Sequence, residues 1–66
     1  MDTHQPDIEL MTAVEVAGLL RITTATLRRM ILDGVAPPQV NMGVRHRRWI
    51  KRDVVRWLEE RARVPE

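Results

Sequence analysis

TAVEVAGLLRITTATLRRMILDG, residues 12–34, decides how this chain is read. Two short helices joined by a tight turn fit its apolar spacing. Val16 and Leu20 stand four apart and share a face of the first helix. Leu27, Met30 and Ile31 fall at i, i+3 and i+4 on the second, and Ile22 lies in the turn where it plugs the gap. Ala17 is small enough to let the second helix cross closely. Together these positions make the apolar pattern of a helix-turn-helix.

The ends of both helices are also legible. Thr12-x-x-Glu15 is a capping box, and Met11 before it packs on Val16 as a hydrophobic staple. Gly18, inside the first helix, costs roughly 1 kcal/mol relative to Ala and is read as permitting close approach of another element. Arg21 occupies the turn position that takes positive φ, where a non-glycine residue is strained. Thr23 is the expected N-cap of the second helix, accepting from the Thr26 amide. Gly34 stops that helix as its C′ residue.

Outside this stretch, the first ten residues, MDTHQPDIEL, show no period and read as a flexible acidic arm. They have no basic region followed by an apolar core, so they are not read as a signal peptide. Pro37 and Pro38 forbid helix and force an extended path. Gln39-Val40 and Arg47-Arg48-Trp49 read as short strands joined by a turn at Asn41-Met42-Gly43, a basic β-hairpin or wing. Asp53 to Arg63 is the last helix, with Val54, Trp57, Leu58 and Arg61 on one stripe. Trp49 and Trp57 are both read as core. The expected fold is mainly α with a small β-hairpin, a winged helix-turn-helix ordered α-turn-α-hairpin-α. Its domain spans 11–63, between the arm at 1–10 and a tail at 64–66.

Composition narrows function. At 66 residues the chain is one domain with a small core. It contains no Cys, and His4 and His46 are too few and too far apart for a metal site. No apolar run approaches a membrane span. No Ser/His/Asp or Cys/His set, phosphate loop or paired carboxylates indicate catalysis, and Glu59-Glu60 read as solubilising charge. The expectation is therefore a non-enzyme with no cofactor, metal, membrane partner or small-molecule substrate, in a bacterial cytoplasm.

Charge points to a polyanion. Residues 1–20 carry Asp2, Asp7, Glu9 and Glu15 with no cation. Residues 21–56 hold Arg21, Arg28, Arg29, Arg45, Arg47, Arg48, Lys51, Arg52 and Arg56 against Asp33 and Asp53, a net of +7. With no Phe or Tyr there is no aromatic platform for single strands, which favours duplex DNA over RNA. Thr23, Thr24, Ala25, Thr26, Arg28 and Arg29 would dock the major groove. The tip threonines would meet phosphate, the arginines guanine, and Ala25 a thymine methyl. Arg45, His46, Arg47 and Arg48 of the wing would hold the flanking backbone or minor groove.

A family resemblance covers roughly residues 10–62. It rests on Leu10-Met11-Thr12 with Glu15-Val16-Ala17 and Leu19-Leu20, then Thr23-x-x-Thr26-Leu27-x-Arg29. It continues through Gly34-x-x-Pro37-Pro38, Gly43-x-Arg45 and Trp49-x-x-x-Asp53-Val54-x-x-Trp57-Leu58. The chain resembles the excisionase/AlpA-type group of the MerR-like superfamily. That resemblance implies binding to double-stranded DNA without catalysis. It implies an excisionase that binds repeated sites near a phage attachment site, bends the DNA, contacts integrase and directs it towards excision. Two alternatives stand beside it: an AlpA-type transcriptional regulator of prophage genes, and a small-terminase-like DNA-binding or adaptor module. So small a domain contacts few base pairs, so cooperative self-association on DNA is expected.

Overall fold

The computed structural model describes residues 8–41 and 46–62. The elements run β1 (Leu10–Met11), α1 (Ala13–Leu20), α2 (Thr24–Leu32), β2 (Val40–Asn41), β3 (Arg47–Ile50) and α3 (Lys51–Ala62). This is the expected winged helix-turn-helix, mainly helical, with β2 and β3 as the antiparallel hairpin.

Local signals set the ends of the first two helices. Thr12 caps α1: its Oγ1 accepts from the Glu15 amide at 3.3 Å, and Glu15 Oε1 accepts from the Thr12 amide at 2.8 Å. α1 ends at Arg21, which adopts a left-handed conformation with φ 59 and ψ 43. The amide of Ile22 then donates to the Ala17 carbonyl at 2.9 Å, and that of Arg21 to Gly18 at 3.1 Å. That pair of bonds is a Schellman motif built on an arginine. α2 ends the same way at Gly34 (φ +74), with Val35 donating to Met30 and Gly34 to Ile31. Matched chain reversals at both ends of α2 therefore fix its position against α1.

β3 is the middle strand of a three-stranded antiparallel sheet ordered β1-β3-β2. Met11 pairs with Trp49 and Leu10 with Ile50, while Val40 pairs with Arg48 and Asn41 with Arg47. The core is Met11, Val16, Ala17, Leu27, Trp49 and Val54, with Ala13, Leu20, Ile22, Ile31 and Ala36 packed around it. Trp49 is fully buried, and its Nε1 donates to the carbonyl of buried Pro37 at 3.3 Å. The Pro-containing connector is thereby tied to the central strand.

Several expectations are corrected. β1 is an additional strand: Leu10, placed in the arm, pairs in the sheet, and the Lys51 amide donates to the Glu9 carbonyl at 2.9 Å. Two residues are too short to show a period, so this strand is set by its partner. Strand β2 is Val40–Asn41, not Gln39-Val40, so Asn41 is in the ladder and not in the turn. α3 starts at Lys51, two residues before Asp53, because β3 runs into it without a loop. Trp57 is not core: it is half-buried with the Arg61 guanidinium 4.3 Å above its ring, and Leu58 is 40% exposed. α3 rests chiefly on β3, so only Val54 of its stripe is buried. Gly18 makes no close approach among the described residues: a Cβ there would meet nothing within 4 Å. Residues 1–7 of the arm, Met42 and Gly43 of the turn, Arg45, Arg63 and the tail lie outside the described residues.

This packing makes three stability predictions. Trp49→Phe strands the Pro37 carbonyl and should cost roughly 1–3 kcal/mol in urea unfolding, whereas Trp57→Phe should cost under about 1 kcal/mol; equal costs would contradict the assigned roles. Gly18→Ala removes a flexible residue from an open helical position and should gain about 0.5–1 kcal/mol. Arg21→Gly relieves the left-handed backbone and should gain about 1 kcal/mol, where Arg21→Val should lose stability.

Candidate nucleic-acid interface

α2 presents an inner face, an outward ridge and two flanks, set by its 3.6-residue turn. Leu27 is buried and Met30 and Ile31 are half-buried, which defines the inner face. Ala25, Arg29 and Leu32 form the opposite, outward ridge, all exposed. Thr24 and Arg28 lie on one flank and Thr26 on the other.

The N-terminal tip of α2 is built by Thr23. Its Oγ1 accepts from the Thr26 amide at 3.0 Å and donates to Thr26 Oγ1 at 3.0 Å, and its carbonyl accepts from the Leu27 amide. The Thr23 hydroxyl proton is thus committed within the helix cap. Thr24 and Thr26 are both exposed on the helix surface. Helix geometry leaves the Thr24 and Ala25 amides without intrahelical partners, at the positive end of the helix dipole.

Beside the Thr24–Arg28 flank runs a groove of about 480 Å³. Thr24 and Arg28 from α2 and Arg47 and Arg48 from β3 line it, with Ala13, Leu27, Ile31 and Trp49 contributing its apolar part. Second-helix and wing arginines far apart in sequence are here brought to one concavity. Arg48 is half-buried, and one of its terminal nitrogens donates to the Arg47 carbonyl at 2.8 Å, which braces it along the strand. Arg28, Arg29 and Arg47 are exposed. Among the described residues no carboxylate lies within salt-bridge distance of these four arginines; the ion pair found there is Arg52–Asp53 at 3.8 Å, on α3. Concentrated cations without internal partners present a field to an external anion.

The structure does not gather every expected residue into that groove. Ala25, Thr26 and Arg29 stand outside it on α2, and His46 is exposed just before β3. Arg45 lies outside the described residues. Lys51, Arg52 and Arg56, which add to the basic segment in sequence, line a separate groove with Glu9 and Glu59. Charge density along the chain could not separate these two surfaces, because β3 and α3 are adjacent in sequence. Ala13 is the groove residue that sequence reasoning missed; as a small residue one position after a cap it carries no signal of its own.

Among the described residues no group of three or more His, Cys, Asp or Glu side chains is placed to hold a metal ion. Among the same residues no helix is long and apolar enough to cross a membrane.

Comparison with known proteins gives one family. The family model described as a helix-turn-helix domain matches residues 10–62. Neither the curated proteins nor the solved structures give a match. The matched span begins at the first residue of β1 and ends at the last residue of α3, so it takes in the whole sheet and all three helices. The chain belongs to the helix-turn-helix family of the excisionase/AlpA type, a family of DNA-binding domains.

Proposed function

We propose that this protein is a sequence-specific double-stranded DNA-binding factor of a phage or other mobile element, acting as an excisionase. α2 enters the major groove, where Arg28 and Arg29 address base edges and Thr24 and Thr26 donate to phosphate. Thr23 holds the tip in shape as its cap, and Ala25 lies against the bases. Arg45, His46, Arg47 and Arg48 of the wing follow the adjoining backbone or minor groove. The observation that carries this reading is the groove between α2 and β3, which sets Thr24 and Arg28 beside Arg47 and Arg48. A duplex seated against it, with α2 in the major groove, would meet cations from two elements at once.

A helix of nine residues is about 13 Å long and covers roughly four base pairs. Useful affinity then needs several copies on repeated sites, which is how an excisionase would load DNA beside an attachment site, bend it and bias an integrase towards excision. The same docking face serves an AlpA-type regulator of prophage genes. The two differ in where the sites lie, not in how α2 reads them. A small-terminase-like adaptor would instead bind a protein partner without dependence on salt.

Capture of fragmented genomic DNA at moderate salt distinguishes these. Repeats beside an integrase gene, bound cooperatively in tandem, support the excisionase; enrichment at promoters elsewhere replaces it with the regulator; no enrichment points to the adaptor. On the preferred site, Arg29→Ala should lose about 1–3 kcal/mol of binding and relax specificity at one position. Arg47→Ala should weaken all duplexes alike and lower the salt slope by about 1. Wild-type binding by both variants would contradict the docking.

A further inference from the structure

The outward ridge of α2 carries a feature that the groove beside it does not use. Leu32 is 78% exposed, the most exposed of the large apolar side chains among the described residues. It gains nothing from the fold, since an apolar side chain contributes by leaving water. It stands seven residues after Ala25 and three after Arg29, so the three form one line opposite Leu27. At about 1.5 Å of rise per residue, Ala25 and Arg29 are about 6 Å apart along the axis, and Arg29 and Leu32 about 4.5 Å. Base pairs stack about 3.4 Å apart. The ridge therefore presents apolar, cationic and apolar groups over about three or four successive base pairs.

The chemistry of the neighbours selects what covers this ridge. Between Thr24 and Leu32 α2 holds Arg28 and Arg29 and no acidic side chain, with the one carboxylate of Asp33 at its C-cap, and its flank is continuous with the groove lined by Arg47 and Arg48. The partner is therefore a polyanion, yet one offering apolar groups on either side of a guanidinium-binding edge. In the major groove the group that fits is the C5-methyl of thymine, and the edge that fits is guanine O6 and N7.

We infer that Ala25 and Leu32 read thymine methyl groups on the two sides of a guanine read by Arg29. The preferred site then contains a G·C pair with a thymine within two base pairs on each side, on either strand. This inference rests on the DNA-binding reading of α2. It assigns Leu32 as a specificity residue at the far end of the helix.

Uracil substitution tests it, because deoxyuridine removes only the methyl group. The best duplex selected from a random library is resynthesised with each thymine replaced singly by deoxyuridine. Each duplex is titrated with the full chain and with Leu32→Ala, whose folding is checked by circular dichroism. The guanine is located by the position at which Arg29→Ala loses discrimination. For the wild type, replacing either flanking thymine should weaken binding about fourfold, the value of one buried methyl group. In Leu32→Ala one of the two losses should vanish while the guanine preference stays. Selective binding that is indifferent to uracil at both positions, or a Leu32→Ala variant that keeps both losses, overturns the inference and leaves DNA binding standing. A wild-type chain that retains no duplex at low salt overturns the DNA-binding reading itself, and this inference with it.

Discussion

The buried indole of Trp49 is the interaction on which the rest of this domain depends. It sits in the middle strand, pairs across the ladder with Met11, and belongs to the same cluster as Val16, Ala17, Leu27 and Val54. Every helix thus contributes a residue to the packing around one side chain. Its N–H to the Pro37 carbonyl adds a direction to that packing. A chain of 66 residues has few large side chains to bury, and an unpaired polar group in so small an interior costs a sizeable part of the net stability. The hydrogen bond removes that penalty and fixes where the segment after α2 meets the sheet.

This anchor also positions the candidate interface. Trp49 and Leu27, both fully buried, contribute the apolar part of the groove whose polar members come from α2 and β3. Arg47 and Arg48 immediately precede Trp49 in sequence, so the residue that holds the core also sets the two arginines against Arg28. Two Schellman turns, at Arg21 and Gly34, complete the geometry from the other side. The first accepts strain at an arginine, which keeps a cation near the turn where glycine would have been easier for the backbone.

Features set by neighbouring residues were legible in the sequence. The Thr12–Glu15 box, the Thr23 cap, the positive φ at Arg21 and the stop at Gly34 all lie within a few residues of their partners. What depended on distant partners was not. Leu10 and Met11 form a strand only because β3 lies beside them. α3 begins early because β3 runs straight into it, where the Lys51 amide meets the Glu9 carbonyl. Trp57 had the right spacing for burial, but among the described residues it is only half-covered, and its ring carries Arg61. At the interface, the sequence named the arginines of α2 and the wing but could not show that Arg28 and Arg29 part ways, one into the groove and one onto the ridge. Nor could it show that Lys51, Arg52 and Arg56 leave for a different surface, since a charge count along the chain has no sense of face.

The central claim is that DNA is met by α2 and β3 and not by the basic residues of α3. Titrating the ¹⁵N-labelled protein with a selected duplex and following the amide resonances tests it most directly. The account predicts that the largest shifts map to Thr24 through Arg29 and to Arg47 and Arg48, with Arg52, Arg56 and Glu59 little changed. Largest shifts on α3 around Arg52 and Arg56, with α2 quiet, would contradict it.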